Sequence, residues 1–314
     1  MAPVDPHWLE GLPPIPDSWQ LSDENAARLD RMMGRLPSQL RKSAYWTLRV
    51  SEVTNEYIAV IPAEGLTPGF QYAGVGFLDP DLDRVDPGTF GVIMYSTVEP
   101  TEQQERDIAV LTIEERFRFP VVWRTVFFEE HVSVTSAPGG SVACWARSRI
   151  KRPNPREGWL TAAHVVRSSR NNAVFSDGGV GQVVDQASVC IDAAVVSTSQ
   201  PLTNRSKLTV TPAVPGLAVS FPQLAGGTVS ATIWEVASTF GQLSSAHFPL
   251  RFAMDTQGVP GDSGSLISST HGDIVGIYLG SYTSSSAQAV SYPTGGVGLS
   301  AEHLEALMGM EFYS

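Results

Sequence analysis

The stretch "GVPGDSGSLI", residues 258–267, sets an aspartate and two serines among three glycines, directly before an apolar run. A buried strand has no use for such a cluster. A tight turn that aims one hydroxyl and several backbone N–H groups at a ligand does, because glycine reaches backbone conformations that other residues avoid. Ser263, between Asp262 and Gly264, is therefore the candidate nucleophile.

A serine hydroxyl is a weak nucleophile and needs a base within hydrogen-bond reach. "GWLTAAHVV", residues 158–166, supplies one, with His164 behind small residues at the end of an apolar strand. An imidazole accepts and returns a proton near neutral pH. "CIDAAVV", residues 190–196, places Asp192 in an apolar run, where a buried carboxylate would fix the imidazole's tautomer. Asp177 and Asp185 are the alternatives for that role. Gly261 lets the backbone turn so that its N–H, with that of Ser263, forms an oxyanion hole, and Gly264 leaves room beside the nucleophile.

These motifs resemble those of the chymotrypsin-fold (trypsin-like) serine proteases: "TAAH" for the histidine, "IDAAVV" for the aspartate strand and "GDSGS" for the serine. A four-residue motif arises by chance on the order of once in 10⁵ positions, given residue types that each make up roughly 5–7% of proteins. The order His, Asp, Ser excludes the subtilisin and α/β-hydrolase orders. The separations of 28 and 71 residues are similar to those of the compact bacterial high-temperature-requirement branch, as are "MDTQGVPGDSGS", "DIVGIYLG" and "GGVGLS". A looser resemblance links the tail to intracellular narrow-leaf-type peptidases. The resemblance covers about 135–314 and implies two six-stranded-type antiparallel β-barrels.

By family offset, Gln257 lies at the base of the specificity pocket, and Leu279, Gly280, Ser281, Gly296 and Gly298 line its walls. No acid stands at the base, so the resemblance implies cleavage after uncharged residues, with Asp255 becoming relevant if the offset slips. Ser265 replaces the family's usual glycine. No "IVGG"-like start follows a basic residue near 131–141, so Asp262 is expected to find hydrogen bonds or a cation within the intact chain, or to stay accessible.

Outside the motifs, the texture changes near residue 131. Residues 1–130 carry 21 acidic and 11 basic side chains, against 11 and 10 in residues 131–314, so nearly all of the net charge of −11 lies in the first part. The first part reads as a mixed α+β domain without a chemical motif, serving regulation or targeting. Its helices are expected from Ser22 to Pro37, over about 39–60 and across "EPTEQQERDIAVLTIEERF", with strands at "FQYAGVGFLD", "TFGVIMYST" and "PVVWRTVFFEE". Residues 131–314 read as the protease domain, all β, with short apolar runs between turns and a closing helix at "AEHLEALMGM". The overall expectation is a mainly β chain with an N-terminal α+β domain.

The acidic balance argues against non-specific grip on nucleic acid. No apolar run is long enough to span a membrane, and the start lacks a signal-peptide pattern, so a cytoplasmic location is the default. No His/Cys cluster has metal-ligand spacing, so no metal and no cofactor is expected. Cys144 and Cys190 are expected to be buried free thiols. His131, His247, His271 and His303 lack motif context and are expected at the surface. Five basic residues (Arg147, Arg149, Lys151, Arg152, Arg156) mark a hairpin that is either a solvated tip or a dock for acidic surface. The expected partners are a protein or peptide substrate and an activating protein. The alternatives are a non-catalytic peptide-binding or structural module on the same fold, and a protease restricted to itself or a single partner.

Overall fold

In a computed structural model of the chain, the structure describes residues 9–18, 20–60, 70–78, 89–107, 109–130, 140–148, 156–166, 172–175, 179–186, 191–198, 205–237, 251–285 and 294–314. Helix α1 (Asp23–Met33) starts where Ser22 can cap it: the serine Oγ accepts the Asn25 N–H at 3.3 Å, and Asp23 and Glu24 sit in the first turn. Pro37 follows its end, and one 3₁₀ turn (Ser38–Leu40) leads into α2 (Arg41–Val60). Strands β1 (Phe70–Phe77) and β2 (Phe90–Ser96) form where the sequence predicts them, on either side of a turn-rich stretch, and β2 is buried along its whole length.

The long helix expected across 99–117 is not formed. It is cut to α3 (Glu102–Asp107), after which β3 (Val110–Ile113) and β4 (Phe117–Glu130) make a hairpin. Val110 to Ile113 alternate exposed and buried, the period of a half-buried strand. Glu114 and Glu115 both have positive φ, at 53° and 56°, as a primed hairpin turn requires. Two glutamates give no sequence signal for such a turn, which normally recruits Asn or Gly.

The rest is β: β5 (Trp145–Ser148), β6 (Arg156–Ala162), one helical turn α4 (Ala163–Val166), β7 (Asn172–Val174), β8 (Val180–Gln186), β9 (Ala193–Thr198), β10 (Ala218–Pro222), β11 (Thr228–Ala237), β12 (Arg251–Met254), β13 (Leu266–Ser269), β14 (Ile274–Ser285) and β15 (Thr294–Ser300). The closing helix α5 (Ala301–Met308) and strand β16 (Glu311–Tyr313) complete the chain. One antiparallel sheet has the order β16-β5-β6-β9-β8-β7. The other contains a closed six-strand ring, β10-β13-β14-β15-β12-β11, sealed by the β10–β11 pairing. The mainly β architecture expected from the sequence is therefore the one formed, with one unit closed and the other a six-stranded sheet.

Composition suggests a boundary at 130/131, but the hydrogen-bonded sheet crosses it. β1 pairs with the far end of β11, β2 pairs in parallel with β4, and β4 pairs with the far end of β14. A second ring, β14-β15-β12-β11-β1-β2-β4, thus shares four strands with the first. The two long strands change rings at irregularities. β11 shifts register between Ile233 and Glu235, and β14 between Tyr278 and Gly280. A bulge bends its strand and tightens the twist, which redirects it.

One apolar core runs across both parts. Trp46 of α2, fully buried, stacks edge-on against Phe117 with centroids 4.9 Å apart and donates its Nε1–H to Pro13. The same cluster reaches Phe221, Ile267 and Tyr278 in the six-strand ring, and Val214 just before it. Each such side chain contributes roughly 1.5–3 kcal/mol of burial. Arg28 of α1 joins α5 through a two-pronged pair with Glu302, at 2.9 and 2.8 Å.

Candidate active site

His164 lies on α4, directly after β6, with its side chain 1% exposed. Asp192 precedes β9, the sheet neighbour of β6, so the two strands bring histidine and aspartate together. Asp192 grips the histidine twice: Oδ1 accepts the His164 backbone N–H at 2.9 Å, and Oδ2 lies 2.7 Å from Nδ1. Its own carbonyl accepts the Ala163 N–H at 3.0 Å. Asp192 holds a left-handed φ of 38°, rare for a residue with a Cβ, and these bonds fix it there. Burial pushes its carboxyl up, but the bonds and charge of His164, with Arg251 nearby, more than offset this and hold it below the usual range. Of the alternatives, Asp177 lies outside the described residues, and only the backbone of Asp185 is described.

Ser263 stands on the turn before β13, fully buried. Gly264 has a φ of 94°, and a Cβ there would lie 2.0 Å from the Ser141 carbonyl oxygen and 2.5 Å from Thr161 Oγ1. The turn thus fits closely against the strand that leads to His164. The Ser141 N–H donates to the Ser263 carbonyl at 2.7 Å, and Ser141 Oγ to that of Gly261 at 3.0 Å. Gly261 also has a left-handed φ, 101°. Among the described residues, the N–H groups of Gly261 and Ser263 donate to no protein acceptor, so both remain available to a developing oxyanion. The Ser263 hydroxyl donates to the Leu279 carbonyl at 2.5 Å. A hydroxyl carries one proton, so in this state that proton is turned toward β14 and not toward the histidine.

Asp262 is fully buried and is satisfied inside the intact chain. Oδ1 accepts the Leu224 N–H and Oδ2 the Val259 N–H, both at 2.8 Å. The first donor lies on the β10–β11 turn, whose Leu224 side chain comes against Gly261: a Cβ on that glycine would be 2.6 Å from Leu224 Cδ2. No sequence signal marks Leu224, because it acts through a backbone N–H that any residue but proline provides.

The residues expected around the pocket separate. Leu279, Gly280, Ser281, Gly296 and Gly298 are buried, whereas Gln257 is exposed. The ring of Tyr278 is the group that sequence reasoning missed. A Cβ on Gly258 would lie 3.0 Å from it, and one on Gly296 3.1 Å, so the ring fills the space between these glycines. Its hydroxyl accepts the Gly258 N–H at 2.7 Å, and it stacks on Phe221 at 4.6 Å. Asp255 is turned away to the Thr232 N–H, at 2.8 Å.

Other expectations resolve unevenly. Cys144 is a buried free thiol whose pKa is pushed up to about 12 by burial, while Cys190 lies outside the described residues. Among the described residues, no group of three or more His, Cys, Asp or Glu is arranged to hold a metal, and no helix is long and apolar enough to cross a membrane. His271 is exposed, but His303 is not the surface residue expected: it is packed between α5 and α1, with Nδ1 buried. His131 and His247 lie outside the described residues, as do Arg149, Lys151 and Arg152 of the basic hairpin. Arg147 pairs with Glu157 at 2.7 Å, and Arg156 is exposed.

Comparison of the sequence with family models and with curated proteins finds no match. Solved structures similar to this chain include the Nocardiopsis protease NAPase, 17% identical, covering 59% of this chain and 97% of that one, with a TM-score of 0.39. They also include the Cellulomonas bogoriensis chymotrypsin, at 16% identity, 59% and 97% coverage and a TM-score of 0.37. A third is the MamO protease domain of Magnetospirillum magneticum, at 16%, 58% and 92%, with 0.36.

Proposed function

We propose that the chain is a serine endopeptidase of the chymotrypsin-like kind. The observation that carries this reading is the double grip of Asp192 on His164, together with the turn at Ser263, where the N–H groups of Gly261 and Ser263 donate to no protein acceptor among the described residues. In the working state the Ser263 hydroxyl leaves Leu279 and donates to His164 Nε2. Ser263 Oγ attacks the substrate carbonyl as its proton passes to the imidazole, and Asp192 stabilises the resulting cation. The Gly261 and Ser263 N–H groups hold the oxyanion. The proton then moves from His164 to the leaving amine, and water releases the acyl group by the same steps in reverse. Cleavage after short, uncharged side chains is supported by the Tyr278 ring between Gly258 and Gly296 and by the engagement of Asp255 elsewhere. Residues 1–130 regulate or target this activity.

The rival reading is a peptide-binding module without turnover, favoured by the proton of Ser263 lying on Leu279. A fluorophosphonate separates the two. The protease is labelled stoichiometrically at Ser263 and hydrolyses unfolded casein. Ser263→Ala should abolish labelling and reduce hydrolysis by about 10⁴-fold or more, with the circular-dichroism spectrum unchanged. Wild-type protein that takes up no label is the module instead.

A further inference from the structure

β14 has two sides, and one of them passes the nucleophile. Its first side is covered by β15 from Gly276 to Thr283. On its second side, β13 pairs up to Ile277, and Tyr278 exchanges bonds with the nucleophile turn, donating to the Ser265 carbonyl and accepting from the Gly264 N–H. At Leu279 that side meets the Ser263 hydroxyl. From Gly280 onward the same side is covered by β4, antiparallel, from Gly280 opposite Glu130 to Ser285 opposite Thr125.

The placement of β4 there is specific. Its pairing with β3 ends at Pro120 and that with β2 at Thr125, so, among the described residues, 126–130 pair with β14 alone. The strand runs toward the serine and reaches Gly280, one residue short of the carbonyl that holds the hydroxyl. A polypeptide attacked by Ser263 comes close to Leu279, whose carbonyl touches the hydroxyl, and the backbone edge that continues from there is Gly280–Ser285. Strand addition to such an edge is a general way to hold an extended peptide, with main-chain bonds giving affinity and alternate side chains giving specificity.

We propose that residues 125–130 occupy, within the same chain, the strand position at which an extended polypeptide substrate adds to β14. This rests on the protease reading above and deepens it: the substrates are unfolded segments, and the intact chain competes with them. A tethered occupant acts at an effective concentration on the order of mM, so a free peptide displaces it poorly. The intact enzyme is therefore slow on other chains until β4 is released.

Locking and unlocking β4 tests this in the full chain. Phe127 faces Thr283 and Phe128 faces Tyr282 across the pairing, and one of two successive pairs is the non-hydrogen-bonded kind whose Cβ atoms approach closely enough for a disulfide. The double variants Phe127→Cys/Thr283→Cys and Phe128→Cys/Tyr282→Cys are each compared oxidised and reduced, so that every molecule is its own folding control. Phe128→Pro and Glu129→Pro remove one donor each from the β4 edge. Expected are casein hydrolysis at least tenfold slower in a disulfide-locked protein, recovered on reduction, and at least tenfold faster than wild type in the proline variant whose lost N–H faced β14. Hydrolysis unchanged between locked and reduced protein overturns the proposal and leaves the protease standing. If fluorophosphonate labels Ser263 in neither wild type, reduced nor proline protein, the protease reading falls, and the proposal with it.

Discussion

Asp262 is the residue on which the geometry of the turn at Ser263 depends. Its two carboxylate oxygens each take a backbone N–H, one from Val259 in its own turn and one from Leu224 across the ring. A buried carboxylate needs both bonds, and together they fix the peptide groups on either side of it. Asp262→Asn keeps one acceptor but sets an NH₂ group against a donor. Casein turnover should drop by about 100-fold, the scale of losing one oxyanion donor, while Ser263 remains in place and the far-ultraviolet spectrum is retained. Wild-type turnover by this variant would show that the turn does not rely on the carboxylate. The pairing of His164 with Asp192 and the glycine turn at Ser263 were legible in the sequence because both lie in short motifs of particular residue types. Leu224 and Tyr278 were not. The first contributes only backbone, and the second sits in the apolar run "DIVGIYLG", where an aromatic residue reads as core.

At the scale of elements, α5 docks on α1 through the Arg28–Glu302 pair, and His303 is enclosed beside it. Burial lowers the His303 pKa to about 4, the Arg28 charge adds to this, and Glu302 opposes it. Glu52 of α2 lines the same cavity. A histidine whose folded pKa lies below its unfolded one contributes stability that is present above the unfolded value, near 6.5, and lost as the pH falls toward the folded value. Acidification from pH 7 to pH 4 should therefore cost about 2–3 kcal/mol through this residue. Urea unfolding of wild type and His303→Gln across that range checks it: the variant should lose less. Equal slopes would place the acid sensitivity elsewhere, for instance in Asp192, whose depressed pKa acts at lower pH. Helices with a cap or amphipathic stripe, α1, α2 and α5, were legible, as were most strands of the second half. The β3–β4 hairpin was not, because local propensity in "EQQERDIAVLTIEERF" favours helix and only the surrounding sheet turns Val110–Ile113 into strand.

For the whole molecule, the shift in composition at residue 131 suggested two units, whereas the hydrogen-bonded rings share β11, β12, β14 and β15. Sequence carries no direct mark of pairing between strands more than a hundred residues apart. A shared wall leaves no plane along which the two rings can melt separately. Scanning calorimetry should show both rings unfolding in one heat-absorption peak, and a chain lacking residues 1–130 should aggregate through the bared edges of β11 and β14. A soluble truncated chain with an unchanged melting temperature would argue for independent units. The sharing also bears on where the edge of β14 changes partner. On that side β13 pairs up to Ile277 and β4 begins at Gly280, so Leu279 falls at the changeover. Its carbonyl oxygen receives the Ser263 hydroxyl. The resting place of that hydroxyl thus follows from topology, from the point at which one long strand passes from one ring to the other.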